Sequence, residues 1–409
     1  MALKYLYVPS GVKAGTAYGV LPNSASADFA SFVSDTDGTR VDKNGLITDV
    51  EANVPRIDYT GGGCPSLLLE PTSTNYVEYS EDFTQSSWSK ISSGTGTTPI
   101  VTANYAISPS GELNASRIQF DKGSGTTQSD ISILADFLTV PSGIDATKSI
   151  YLKSATSEEY DLVLYGTSDA SGSNVKKIRV TTEWQRFDVF KTLTGTSTGI
   201  AFGLREISVS GLSNTADVLA WGAQVEPLSY TTSYIPNYGT AAGVTRSQDS
   251  DGTGTGDISS TINEQEGVFL AYIAAHSSEA ISAPTWISLS EGSSSNSFIS
   301  IRYNTGANTI QVRYKANGGT AVQITTTSTD RSNFNKVAFR WKENDFSLWV
   351  NGSLIETQTT WDIITANNLD RLRLSFPSPS TQDFFGKVKE IRIYDEYESD
   401  SEMAKLTTI

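Results

Sequence analysis

Apolar and polar residues alternate in short runs along nearly the whole of this chain, and clusters of Gly, Ser, Thr, Asn and Asp cut the runs apart. Ser149–Lys153, Tyr160–Tyr165, Val175–Val180, Phe187–Phe190, Phe298–Tyr303 and Ile310–Tyr314 are examples. A period of two sends successive side chains to opposite faces of a strand, whereas a helix needs an apolar stripe with a period of about 3.6. No helical stripe longer than about three turns is present. The best short candidate is Ser399–Lys405. Many short strands joined by turn residues bury their apolar faces by packing one sheet on another. The pattern predicts an all-β chain of tandem jelly-roll β-sandwiches, preceded by an irregular N-terminal segment.

The chain has 409 residues, and at roughly 150 residues per domain this allows two or three domains. Residues 1–75 are rich in Gly, Pro, Asp and Asn, with only short apolar runs such as Ser66–Leu69. Such a segment cannot build a core alone, so it is expected to pack on the next domain or on another subunit. Residues 76–246 form a strand-rich block that closes in Val218–Glu226. Residues 247–260 read as a Gly/Ser/Asp linker, and 261–409 as a second sandwich. In that second block, Asn351-Gly352 between Phe346–Val350 and Ser353–Thr357 supplies the positive φ pair of a type I′ hairpin. Gly386–Tyr394 reads as a late strand with Val388, Ile391 and Ile393 inward and a bulge between them. No internal repeat of fixed period is present.

Thirty Lys and Arg stand against 45 Asp and Glu, for a net charge of −15. That balance argues against nucleic-acid binding, which needs a cationic surplus, and against docking on an anionic membrane. The single cysteine, Cys64, and single histidine, His276, permit neither an internal disulfide nor a Cys/His zinc site. A triad-type nucleophilic mechanism would have to use His276 with nothing nearby in sequence to orient it. No secretory signal opens the sequence, and no run approaches the about 18 apolar residues of a membrane span. These features predict a chain made in a reducing cytosol.

Two blocks carry a resemblance. RVDKNGLITDVEANVPRIDY (Arg40–Tyr59) with GCPSLLLEPTSTNYVEYSEDFTQSSW (Gly63–Trp88) is the first. WGAQVEPLSYTTSYIP (Trp221–Pro236) with VTRSQD (Val244–Asp249) is the second. They resemble signatures of a large group of bacteriophage virion proteins of the tail, fibre or head-fibre type. FRWKENDFSLWVNGSLI (Phe339–Ile355) and GKVKEIRIYDEYESDSEMAKL (Gly386–Leu406) resemble the concanavalin A-like, laminin-G-like sandwich. The middle block resembles carbohydrate-binding-module jelly rolls. The resemblance implies a structural protein of the virion surface, attached through residues 1–75 to other virion proteins and projecting two lectin-like sandwiches towards host surface glycans. It implies a homotrimer by analogy with fibres, although no coiled-coil heptads support that number. A head-fibre or capsid-decoration protein with a purely structural role is the alternative, and a polysaccharide depolymerase is the third reading.

Concanavalin-like glucanases place alternate carboxylates on one cleft face. Glu343-Asn344-Asp345 and Glu159-Tyr160-Asp161 begin such a pattern, but neither is completed by a third acid. The chain is therefore expected not to be an enzyme, and no cofactor is required. Resemblance to carbohydrate-binding modules implies a possible structural Ca²⁺, a hard ion held by oxygen ligands. Glu81 and Asp82, which open the middle block, and Asp217 and Glu226, which close it, are the candidate ligands; solvated loop acids are the competing reading. Asp249, Asp251 and Asp257 lack the spacing of an EF-hand and read as linker. For stacking on sugar rings the candidates are Trp349, out of phase with its apolar neighbours, Trp361 in a polar context, and Tyr303 with Tyr314. Trp221 and Trp341 read as core.

Overall fold

The computed structural model describes residues 2–13, 16–166, 174–292, 294–365, 368–377 and 382–409. The chain is all-β apart from a C-terminal α-helix, Asp400–Thr407, and short 3₁₀ turns. Among the described residues no helix is long and apolar enough to cross a membrane. The fold divides into two compact units, one built from 1–43, 50–71 and 247–409, the other from 44–49 and 72–246.

In the first unit one sheet runs in the order Thr16–Leu21, Leu3–Lys13, Gly386–Tyr394, Glu266–Ala274, Asn335–Lys342, Asp345–Val350, Ser353–Gln358. Facing it is a sheet ordered Val322–Thr326, Ile310–Lys315, Ser294–Tyr303, Thr285–Glu291, Arg371–Arg373. Phe269, Val337, Phe339, Trp341, Leu348 and Ile391 of the first sheet share one buried cluster with Ile287, Leu289, Ile299, Ile301 and Val312 of the second. The expected hairpin is present: Asn351 and Gly352 take φ of 50° and 82°. The expected bulge is present too. Tyr272 pairs with Glu390 but Ile273 pairs with Val388, so the skipped Lys389 lets Val388, Ile391 and Ile393 all face inward.

The N-terminal stretch is not a separate segment. Leu3–Lys13 and Ser66–Leu69 both pair with Gly386–Tyr394, and Tyr5, Tyr7, Phe29, Phe32, Ile57, Leu67 and Leu69 belong to the same buried cluster as the C-terminal strands. The partner is the C-terminal sandwich and not, as one of the two expectations had it, the domain next in sequence. The physical reason is mutual need: each strand has ladder groups to satisfy, and neither stretch has enough apolar surface for a core of its own.

Residues 247–260 are likewise not a linker. Asp249, Asp251, Thr255 and Ile258 are buried, and Asp251 Oδ2 accepts the Leu374 backbone N–H at 2.7 Å. Asp383, which accepts from Gln248 Nε2 at 2.9 Å and Ser250 Oγ at 3.2 Å, is pushed up to about 6 by burial and by the Asp251 carboxylate. Burial also raises Asp251. Because the folded form holds these protons more tightly than the unfolded chain, this pair's contribution to stability is present below about pH 4 and is lost as pH rises through about 6. The expected result is that Asp383→Asn flattens that decline and recovers on the order of 1–3 kcal/mol at pH 8. Urea unfolding between pH 4 and 8, followed by hydrogen exchange of peptides from 247–409, checks it; parallel pH profiles for variant and wild type would refute it.

In the second unit one sheet is ordered Gln185–Thr192, Asp145–Ser154, Thr215–Glu226, Ala115–Asp121, Thr97–Ala106. The other is ordered Val175–Val180, Tyr160–Tyr165, Ser197–Arg205, Ile131–Thr139, Trp88–Ser93. Ile118, Phe120, Ile150, Leu152 and Val218 meet Ile133, Leu162, Leu164, Ile200 and Phe202 between them. The Phe202 ring makes edge contacts with Phe83, Trp88 and Phe120.

Candidate functional site

Three of the four aromatic residues expected to stack on sugars are core. Tyr303 and Tyr314 are fully buried because they share the inward parity of Ile301 and Val312. Tyr303 lies 5.7 Å from Phe384, and the Tyr314 hydroxyl accepts the Ile364 N–H at 2.8 Å. Trp349 does point away from Phe346, Leu348 and Val350, as its phase requires, but the C-terminal helix covers that side. It packs with Met403, Leu270 and Tyr394 at 4% exposure. Trp361 is half-buried, 5.4 Å from Phe346 and stacked 6.3 Å from Tyr314. Trp221 and Trp341 are buried, as expected.

The four candidate calcium ligands each accept hydrogen bonds from protein donors. Glu81 accepts from Asn114 Nδ2 (2.8 Å), Tyr234 (2.9 Å) and Tyr238 (3.2 Å). Asp82 closes a turn on Thr84 and Gln85. Asp217 takes a forked pair of bonds from Arg117. Glu226, fully buried, accepts from Gln224 Nε2 (2.9 Å), Ser73 Oγ (2.8 Å), and Thr232 N (2.9 Å) and Oγ1 (2.7 Å). Among the described residues no three His, Cys, Asp or Glu side chains gather as a metal site. The incomplete acid patterns are spent similarly: Glu159 and Asp161 both pair with Arg179, and Asp345 meets Arg340 and Tyr397.

The two signature blocks also turn inward. Asn75 donates to Ala223 O and Ile235 O and accepts from Val77 N and Val225 N. Arg56 binds Glu70 at 2.6 Å and Asp249, all three side chains at most 2% exposed. These polar residues hold chain segments together.

A different surface has the makings of a binding site. Cross-strand register aligns Trp286, Arg302, Gln311 and Thr325 in one row on the outer face of the second sheet of the first unit. Arg373, Ser288, Ser300, Arg313 and Gln323 form the next row, and Arg371, Ser290, Phe298 and Lys315 the third. These positions themselves carry Arg and Lys but no acid, in a chain of net charge −15, although Asp370 lies 3.9 Å from Arg371 at one edge. The Arg302 guanidinium lies 4.2 Å above the Trp286 ring and that of Arg313 5.7 Å from it. Arg302 Nε donates to Gln311 Oε1 at 2.5 Å, Gln311 Nε2 to Thr325 Oγ1 at 2.6 Å, and Trp286 Nε1 to Gln382 Oε1 at 2.8 Å. Burial, then the neighbouring Arg313 charge, brings Arg302 down to about 10. Phe376 packs 4.7 Å from Trp286 and 5.9 Å from Phe298. Beside this cluster lies a cavity of about 200 Å³ lined by Ser295, Phe298, Arg313, Lys315, Gly319, Ala321 and Phe376.

Aromatic walls, hydrogen-bonding groups and cationic side chains around one concavity suit a small polar ligand. None of these residues was singled out by sequence reasoning, yet a signal existed. In TWISLS, SFISIR and IQVRYK the positions alternating with Ile, Leu and Val carry Trp, Phe, Arg and Lys. Such residues are unremarkable in sequence until register sets them side by side, where most of them, Trp286, Phe298, Arg302 and Gln311 included, are buried.

Residues 270–404, about a third of the chain, match the family described as the concanavalin A-like lectin/glucanases superfamily. No curated protein matches the chain. Among solved structures it is similar to the CBM40 domain of the Ruminococcus gnavus IT-sialidase bound to α2,3-sialyllactose, at 18% identity and TM-score 0.32, over 38% of this chain and 92% of that one. It is also similar to domain 4 of AbnA, a GH43 extracellular arabinanase from Geobacillus stearothermophilus, in complex with arabinotriose, at 14% identity and TM-score 0.31, over 39% of this chain and 73% of that one.

Proposed function

We propose that the chain is a glycan-binding protein of a virion surface, of the tail or fibre class, and that its first unit holds a saccharide against Phe298 and Phe376 on the outer face of the Thr285–Glu291 sheet. One observation carries the binding reading: an aromatic cavity with cationic rims lies in the segment that matches the lectin superfamily. The resemblance of the two signature blocks to phage virion proteins supports the placement. In this reading the protein performs no catalysis, is made in the host cytoplasm, assembles as a homo-oligomer with other virion proteins, and meets host glycans during adsorption.

Glycan microarrays with the full chain, followed by calorimetry on the best hits, test the binding. Phe376→Ala removes a half-buried ring from the cavity wall and is expected to weaken any hit roughly tenfold, with the unfolding midpoint unchanged within a few degrees. Silence across the array would sink the glycan reading. Cryo-EM of virions tests the placement: density on a tail or fibre supports it, and density flat on the capsid lattice makes the protein a decoration subunit.

A further inference from the structure

We propose that the ligand of this cavity is an acidic saccharide, one whose carboxylate is received between Arg302, Arg313 and Lys315 while its ring packs on Phe298 and Phe376. This rests on the glycan reading above and adds the class of sugar to it.

The first support is that no carboxylate among the described residues pairs with the three cations named. Among the described residues Arg302, Arg313 and Lys315 form no ion pair, although acids outnumber bases in the chain and most other arginines described have a carboxylate or a set of backbone carbonyls. Two guanidinium groups placed over one indole repel each other, and that repulsion costs stability unless an anion shares the site.

The second support is orientation. Arg302 is only 6% exposed. Its Nε is fixed by Gln311 and its plane lies over Trp286, so its Nη donors are held in place without a protein acceptor among the described residues. Arg313 Nε is buried and has no hydrogen-bond partner among the described residues. A carboxylate accepts two parallel N–H bonds from a guanidinium, which a neutral hydroxyl cannot do, and a rigid fork loses little entropy in binding it. Lys315 and Arg313 line the cavity itself, so an acid group there stays within reach of the aromatic wall.

Matched probes test the inference in the full-length protein. Calorimetry with 3′-sialyllactose against lactose, and with oligogalacturonate against its methyl ester, is expected to show at least tenfold preference for one acidic member over its neutral counterpart, shrinking as salt is raised. Arg313→Gln is expected to reduce acidic binding roughly 10- to 100-fold and so to narrow or abolish the preference for the acidic over the neutral member of each pair. Arg313→Lys, which keeps the charge and loses the fork, is expected to fall between. Unfolding midpoints of both variants identify any loss of fold. Phe376→Ala separates the two readings, because it weakens acidic and neutral probes alike. Equal affinity for acidic and neutral members in the wild type overturns the acidic assignment and leaves glycan binding standing. Binding to no saccharide at all removes both. Binding of a short oligodeoxynucleotide as tight as that of the acidic sugars also overturns it, since the face would then select charge and not a sugar acid.

Discussion

Arg56→Met is expected to destabilise the first unit by about 3–5 kcal/mol, because it strands two buried carboxylates. Arg56 Nη1 donates to Glu70 Oε2 at 2.6 Å and to Thr39 O at 3.1 Å, Nη2 binds Asp249, and the Glu70 N–H closes the group on Asp249 at 2.8 Å. The three residues come from positions far apart in the chain, so the network ties the Arg56–Asp58 strand to the stretch after Arg246. Removing the cation alone leaves the desolvation cost of both anions uncompensated. Removing all three charges together, as in Arg56→Met, Glu70→Leu, Asp249→Leu, is expected to restore much of the loss, since apolar replacements of a buried ion cluster are often neutral or better. Urea unfolding of the single and triple variants measures this, with hydrogen exchange of 50–71 and 247–265 reporting which region opens. A single variant within about 1 kcal/mol of wild type would show that the network is solvated and weak.

Asn75→Ala is the corresponding change in the second unit, with an expected loss of about 3–5 kcal/mol if each stranded group costs 1–3 kcal/mol and part is regained by water. The Asn75 amide is fully buried and uses both ends. It donates to Ala223 O (3.2 Å) and Ile235 O (2.8 Å) and accepts from Val77 N (3.1 Å) and Val225 N (3.2 Å). Alanine leaves two carbonyls and two N–H groups without a partner, and aspartate would set a carboxylate against two carbonyl oxygens. Asn75→Asp is therefore expected to be the worse of the two above pH 5, where its carboxylate is charged. Faster exchange at Val77 and at 223–235, with core strands such as Ser197–Arg205 still protected, would report local opening; unchanged exchange in both variants would refute the assignment.

Legibility followed locality. The Asn351-Gly352 hairpin, the Gly386–Tyr394 bulge with its three inward residues, the short C-terminal helix and the core positions of Trp221 and Trp341 were all readable. Each depends on residues within one or two turns of chain, where φ preference and side-chain period act directly. Trp349 marks the edge of that reach: its phase correctly placed it away from the main core, but phase says nothing of the helix that returns to cover it. Tyr303 and Tyr314 show the same limit from the other side. A period of two divides a strand into two faces without saying which of them meets the opposing sheet.

The sequence by itself determined that this chain is all-β and where many strands of its two sandwiches lie. Tertiary structure alone decided that the N-terminal strands complete the C-terminal sandwich, that Asp251 is buried against Asp383, and that Trp286, Arg302 and Arg313 share one face. The first and third depend on cross-strand register, and the second on a stretch outside any strand folding against one far away in sequence. That register is set by the summed packing of whole sheets, so no short window of residues contains it.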